Sequence, residues 1–184
     1  MSMFRRKLGR RARALVAAAQ SFPRANHAAT AVEFAMVAAP FIALLVAILE
    51  TALVMMAQSV LQEATTQASR LIMTGQAQTG NMSATQFKQT VCNAAAAMFS
   101  CGGILVNVQT FNSFSNVALT KPVTGGKLDS AKTGYSAGGP GDIEVVQVFY
   151  AWPVFLAPLG FNLGNLSGNK MLLIGTAAFR NEPY

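Results

Sequence analysis

Side chains able to do chemistry are few and widely spaced in this sequence. Among 184 residues there is one histidine, His27, and there are two cysteines, Cys92 and Cys101. The seven acidic residues are scattered, and the closest pair, Asp142 and Glu144, has no base, metal ligand or phosphate-binding glycine loop beside it. The sequence therefore predicts no catalytic residue, no cofactor and no metal site. The Asp142 and Glu144 pair is predicted to form a solvated strand edge.

The positive charge is concentrated at the N-terminus, before the first acidic residue, Glu33. Seven basic residues form this arm: Arg5, Arg6, Lys7, Arg10, Arg11, Arg13 and Arg24. The other seven balance the seven acids, so the arm carries the formal net charge of +7. Because the arm adjoins an apolar run and has only Phe4 and Phe22 as aromatic residues, it fits the positive-inside rule better than nucleic-acid binding. We expect a cytoplasmic N-terminus, an external C-terminus and no nucleic-acid partner.

An apolar run follows the arm from Phe34 to Ala57 and is interrupted mainly by Glu50 and Thr51. Its 24 positions, at a helical rise of about 1.5 Å, span about 36 Å, which is enough to cross a bilayer. A secretory signal would have a shorter apolar core followed by a polar mature start. The run therefore predicts an uncleaved anchor, or a segment that is cut on its cytoplasmic side.

Beyond the apolar run, the helical pattern continues to about Met73. One face carries apolar residues at alternating spacings of three and four, namely Val54, Ala57, Leu61, Ala64, Ala68 and Leu71. The opposite face is polar and carries Gln58, Gln62, Glu63, Thr66, Gln67 and Arg70. Gly75 supplies a stop. The pattern predicts one long helix that is half in lipid and half outside it.

The remaining sequence predicts a small α+β domain. A capping box at Ser83 to Gln86 starts a second helix over 84–99, and β-branched and aromatic residues predict strands at 104–111, 143–150 and 171–180. Residues 112–141 are predicted to be a long Gly/Ser-rich loop, and residues 155–164 an irregular connection. The expected organisation is a leader over 1–28, the membrane and extended helix over 29–75, and an extracytoplasmic domain over 76–184.

Cys92 and Cys101 are predicted to form a structural disulfide. Both fall in the region that the charge pattern places outside the cytoplasm, where an even pair of cysteines is most simply oxidised. Closing so short a loop would stabilise the domain by about 2 to 3 kcal/mol. Unpaired buried cysteines are the alternative.

The membrane part of the helix contains two acids and one proline that need an explanation. Glu33 has capping-box spacing from Thr30 and would complement the helix dipole. Glu50 lies about 24 Å along the helix from Phe34. At the outer lipid boundary it would reach water, whereas deeper in the membrane it would need a partner from another subunit. Pro40 favours a kink or local melting of the helix.

These features together resemble a known class of proteins. The basic leader, the small-residue junction after His27, and the run Thr30-Ala-Val-Glu-Phe-Ala-Met-Val-Ala-Ala-Pro40 look like type IV pilin precursors. They resemble specifically the TadE-like pseudopilins of the tight-adherence (Flp/Tad) pilus system. Glu50, the Gln- and Ala-rich helix after it, and the terminal sequence from Phe179 to Tyr184 support the resemblance, which is closest over residues 28–75.

The resemblance implies a processing site and a role for Glu33. In this family a prepilin peptidase cuts on the cytoplasmic side, which here places the cut between Ala28 and Ala29. Glu33 would become the fifth residue of the mature chain and would pair with the new α-amine at Ala29 of a neighbouring subunit. The sequence departs from the family pattern at Ala28, where glycine is expected, and this departure leaves cleavage open.

The resemblance also implies a function, partners and a location. The chain is expected to be a minor subunit that acts in assembly of a pilus used in surface attachment. Its expected partners are other pilins and pseudopilins, the prepilin peptidase, the inner-membrane assembly platform and the lipid bilayer. Its expected location is the bacterial inner membrane, with one span and a periplasmic C-terminal domain. The alternative is a permanent bitopic anchor with an extracytoplasmic binding domain, and a tethered hydrolase built on Asp142 and Glu144 is a more remote one.

Overall fold

The computed structural model of the chain describes residues 26–156 and 160–184. The basic arm, from Arg5 to Arg24, lies outside these described residues. Contacts divide the chain into two compact units, one ending at Val46 and the other running from Ala47 to Tyr184. The second unit contains the sheet, and the architecture confirms the predicted α+β class.

Helix α1, Asn26–Met73, is a single element of 48 residues. Its end confirms the predicted boundary near Met73. It begins before Thr30, so Thr30 lies inside the helix and the capping-box interpretation of Thr30 and Glu33 is wrong. The helix runs through Pro40 without interruption, so the local melting expected at this residue is absent, and the kink stays a prediction.

The second unit is built on a three-stranded antiparallel sheet with the order β1-β4-β5. The strands are β1, Leu105–Phe111, β4, Ile143–Pro153, and β5, Lys170–Arg180. They match the three predicted strands, with β4 extending three residues further. The register pairs Glu144 with Thr110 on one side and with Phe179 on the other, so β4 is the central strand.

The C-terminal part of α1 packs against β5 through a buried stripe in which half of the apolar residues are alanines. The buried members are Val54, Ala57, Leu61, Ala64, Ala68 and Ile72. The structure thus buries Ile72 in place of the predicted Leu71, which is half-buried. Gly175 permits this close approach, because a Cβ atom there would overlap the Thr65 hydroxyl and would lie 2.9 Å from the carbonyl oxygen of Leu61. Small side chains on both elements set the distance between helix and sheet.

A short helix α2, Gln76–Thr79, leads to helix α3, Ala84–Ala95. The predicted capping box is confirmed, because the Gln86 amide donates to Ser83 Oγ at 3.3 Å and the Ser83 amide donates to Gln86 Oε1 at 2.8 Å. Helix α3 ends before the predicted Phe99, and Phe99 is buried in the core.

The predicted disulfide between Cys92 and Cys101 is confirmed, with the two Cα atoms 5.3 Å apart. It joins helix α3 to a 3₁₀ turn, Cys101–Gly103, which precedes β1. The bridge therefore fixes the connection from helix to sheet, as the sequence predicts.

The segment 112–141 has more structure than a plain loop. It contains a two-stranded hairpin, β2, Val123–Thr124, with β3, Lys127–Leu128, and two 3₁₀ turns. Its end covers the free edge of β1: the Val108 amide donates to the carbonyl of Gly134 at 2.9 Å, and the Ser136 amide donates to the carbonyl of Val108 at 3.1 Å. The segment therefore protects a sheet edge from pairing with another strand.

Candidate functional site

The predicted processing junction, Ala28 and Ala29, lies within the first turn of α1. Helix ends fray readily because their terminal groups lack intrahelical partners. The peptide bond between the two alanines is therefore in the part of the helix that opens most easily. Whether a peptidase cuts there stays a prediction.

Glu33 and the apolar residues after it are exposed. The helix from Thr30 onward includes an 18-residue stretch of mean hydropathy 2.5 and none of that stretch is buried. Phe34, the residue after Glu33, is 74% exposed. Other large exposed residues on this stretch are Met36, Val37, Phe41, Ile42, Leu44, Leu45 and Val46. By length and composition this helix could span a membrane, consistent with a single-pass membrane protein.

Glu50, by contrast, is only 7% exposed and has partners within its own unit. Its carboxylate accepts hydrogen bonds from the backbone amides of Phe155 and Leu156, with the Leu156 nitrogen 3.3 Å from each oxygen. The sequence interpretation allowed for water or a partner subunit and missed these donors. The spacing of the buried stripe could have predicted that Glu50 is buried, because Glu50 lies four residues before Val54, but it does not identify the donors.

Gln58 and Gln62 bind the outer edge of β5 with both ends of their amide groups. Their Nε2 atoms donate to the carbonyls of Ile174 and Thr176 at 2.8 and 2.9 Å. Their Oε1 atoms accept from the amides of the same two residues at 3.4 and 3.0 Å. Two glutamines one helical turn apart thus imitate a neighbouring strand. Sequence analysis placed both on a polar face and missed this role.

Glu144 is completely buried in the central strand, so its predicted place at a solvated strand edge is wrong. Gly138 lies over it, because a Cβ atom on that glycine would overlap Glu144 Oε1. Neither carboxylate oxygen has a hydrogen-bond partner among the described residues, and the nearby Thr110 hydroxyl bonds Ser136 at 2.8 Å. Burial raises the pKa of Glu144 to about 7, with Thr110 opposing the rise and Asp142 adding to it.

The surroundings of Glu144 hold the segment over it in place. Asn181 Nδ2 donates to the carbonyls of Ala137 and Gly139 at 3.1 and 3.0 Å, and the Gly139 amide donates to Asp142 Oδ2 at 2.7 Å. Among the described residues, no group of three or more His, Cys, Asp or Glu side chains could hold a metal ion. The arrangement around Glu144 is a buried polar packing site and offers no paired acid and base.

The fold and these sites define a protein with one long, apolar N-terminal helix that continues into a small α+β unit. Residues 28–70 match the family model described as TadE-like protein. The matched segment contains Ala28, Ala29, Glu33, Pro40 and Glu50, and the resemblance to TadE-like proteins of the Tad pilus system is thereby confirmed. Comparisons with curated proteins and with solved structures give no match.

Proposed function

We propose that this chain is a minor, pilin-like subunit that acts in assembly of a Tad-type pilus. The observation that carries the proposal is the exposed apolar stretch of α1 that begins at Glu33, inside the segment that matches TadE-like proteins. Exposing so many large apolar side chains to water is unfavourable, so this stretch needs lipid or other apolar helices around it. A pilin-like subunit has both environments, first the bilayer and then the bundle of helices in a pilus.

Glu33 makes such helix packing specific. A charge inside a lipid or helix bundle is costly unless it is paired, and a mature α-amine at Ala29 of a neighbouring subunit would supply the opposite charge. The pair would form only when two helices are offset by one definite distance. Apolar residues alone, such as Phe34 and its neighbours, would not set this register.

Cleavage between Ala28 and Ala29 would create that amine and remove the basic arm. The arm holds the N-terminus at the cytoplasmic leaflet by attraction to anionic lipids, worth about 1 kcal/mol per basic residue near the surface. Its removal would lower the cost of moving the helix from the bilayer into a pilus. The N-terminus is proposed to be cytoplasmic before cleavage, and the residues after α1 periplasmic.

The first experiment measures the N-terminal mass of the protein from membranes with and without its prepilin peptidase. A peptidase-dependent start at Ala29 supports the pilin-like role. An intact arm in both samples favours the second candidate, a permanent bitopic anchor. The observation behind this candidate is Ala28, which stands where glycine is expected before the cut.

The first prediction concerns Glu33→Ala. We expect the variant to insert into the membrane normally and to lose most self-association and piliation, because the register-setting charge is absent. Cross-linking of the full chain in membranes and a count of surface pili measure the two effects.

Glu63→Ala is the matched control, since Glu63 is an exposed acid on the same helix whose carboxylate accepts only from Gln67 at 2.9 Å among the contacts described. This control should leave piliation unchanged. Normal piliation in Glu33→Ala would contradict the assembly role and leave the anchor.

A further inference from the structure

The segment that follows β4 contacts helix α1 at Glu50. Strand β4 ends at Pro153, and the Val154 amide still donates to the carbonyl of Asn169 at 2.9 Å. The next two amides, of Phe155 and Leu156, have left the strand ladder and donate to the Glu50 carboxylate. One acidic side chain therefore satisfies the backbone donors of a non-helical segment.

The contact lies inside the apolar part of the helix surface. Exposed apolar residues continue past Glu50 through Leu53, Met55 and Met56, and the first glutamine of the polar face is Gln58. Eight residues at a rise of about 1.5 Å place Glu50 about 12 Å before that polar boundary. The backbone of Phe155 and Leu156 is at the level of Glu50 and hence within the apolar band.

Phe155 points away from the protein at this level. Its side chain is 75% exposed, whereas the neighbouring Val154 and Leu156 are buried. In water this exposure is unfavourable, and in the acyl chains of a lipid leaflet it is favourable. Backbone outside a helix is tolerated at membrane depth only where its polar groups are satisfied, and Glu50 provides this.

We propose that residues 154–156 insert into the outer lipid leaflet, with Phe155 as the lipid contact and Glu50 as the clamp that holds the segment on α1. We assign lipid as the occupant, because the surface at Phe155 is continuous with the exposed apolar surface of the helix. Lys170, exposed and paired in register with Pro153, is placed to reach the lipid phosphates. The inference rests on the proposed membrane anchoring.

The test uses fluorescence quenching by lipids with brominated acyl chains. The chain has a single tryptophan, Trp152, so Trp152→Phe gives a background for one new tryptophan at a time. Phe155→Trp reports the segment, Leu45→Trp reports the helix, and Phe114→Trp is the control, since Phe114 follows β1 at the end of the sheet opposite Pro153. The full-length variants are reconstituted in vesicles of phosphatidylethanolamine and phosphatidylglycerol.

We expect quenching and a blue-shifted emission at positions 155 and 45, and neither at 114. Adding Glu50→Ala should reduce quenching at 155 and leave it unchanged at 45. Quenching at 45 without quenching at 155 would overturn the lipid contact while preserving the anchor. An absence of quenching at both positions would overturn the anchoring itself.

A second measurement avoids the Trp152 substitution. A photoreactive phenylalanine analogue at Phe155 in native membranes should give lipid adducts. Adducts to a protein subunit instead would show that another helix covers this surface and would contradict the proposal.

Discussion

Helix α1 contains two apolar stretches whose side chains differ in size and in burial. From Thr30 to Val46 the large residues are exposed, and no described side chain is buried. From Ala47 to Met73 one face forms the buried stripe, in which three of the six apolar members are alanines, and the sheet approaches it at Gly175. A soluble core would bury the larger residues first. The difference indicates that the first stretch, with the exposed face that continues to Met56, needs an apolar environment outside the chain, whereas the buried stripe makes its own by close packing.

The largest difference in stability is expected between two leucine-to-alanine substitutions, one in each stretch. Leu61 is completely buried and Leu45 is 44% exposed. Leu61→Ala should lower the free energy of unfolding by about 2 to 5 kcal/mol, because it removes buried methyl groups and leaves a cavity. Leu45→Ala should change it by less than about 0.5 kcal/mol. Thermal unfolding of the full chain in detergent, followed by near-ultraviolet circular dichroism, measures both.

Equal losses of unfolding free energy in Leu61→Ala and Leu45→Ala would contradict the division of the helix into an exposed stretch and a buried one. A large loss at Leu45 would mean that the first stretch packs within the folded chain, and a small loss at Leu61 would mean that the stripe repacks without cost. The first result would remove the argument for an external apolar partner, and the second would remove the argument that the stripe is stabilised by close packing.

The helices and main strands were predictable because local patterns specify them. The three-and-four spacing from Val54 to Ala68, the capping box at Ser83 and the β-branched run at β4 each determine an element without distant contacts. The disulfide was predictable from the even number of cysteines and from the compartment that the charge pattern predicts. The end of α3 was predicted less well, because alanines continue the helical pattern beyond the residue at which the structure ends it.

The partners of buried polar groups were not predictable, because they join residues far apart in the chain. Glu50 and Phe155 are separated by 105 positions, and Gln58 and Ile174 by 116. The sequence predicts an exposed Glu144, because no local pattern shows that β4 is the central strand or that it lies beneath Gly138. Tertiary position, which no local pattern encodes, decides whether an acid is solvated or buried.

The second comparison pairs Glu144→Gln in the sheet with a substitution in the exposed stretch. Glu144 has a pKa raised to about 7 by burial. Between pH 4.5 and 7 the unfolded chain releases this proton while the folded chain keeps it, so stability should fall as pH rises and level off above 7. Over this pH range the free energy of unfolding should fall by at most about 3 kcal/mol. Glu144→Gln should remove this pH dependence and should be the more stable protein at pH 8, as measured by urea unfolding across pH.

Leu45→Ala, in the exposed stretch, changes no ionisable group and should leave the pH profile of unfolding unchanged. If the free energy of unfolding of Glu144→Gln depends on pH in the same way as that of the unsubstituted protein, Glu144 does not cause the pH dependence. The proton retained by the folded state would then belong to another group.

The smallest effect is expected where the helix binds the sheet edge. Gln58→Ala with Gln62→Ala leaves the outward backbone groups of Ile174 and Thr176 without their side-chain partners. We expect the free energy of unfolding to fall by about 1 to 3 kcal/mol. The effect is small because water can reach part of this edge and replace the lost bonds. Faster amide hydrogen exchange at Ile174 and Thr176 would locate the loss. Gln67→Ala, which removes an exposed amide bound to Glu63, should change neither measurement.

If the double variant exchanged these two amides at the original rate, the glutamines would not be what protects the edge. The packing of Leu61 and Thr65 against Gly175 would then be sufficient to hold β5 on the helix. If exchange rises and stability falls together, the glutamines both contribute to the free energy of unfolding and keep the free edge of β5 from pairing with another chain.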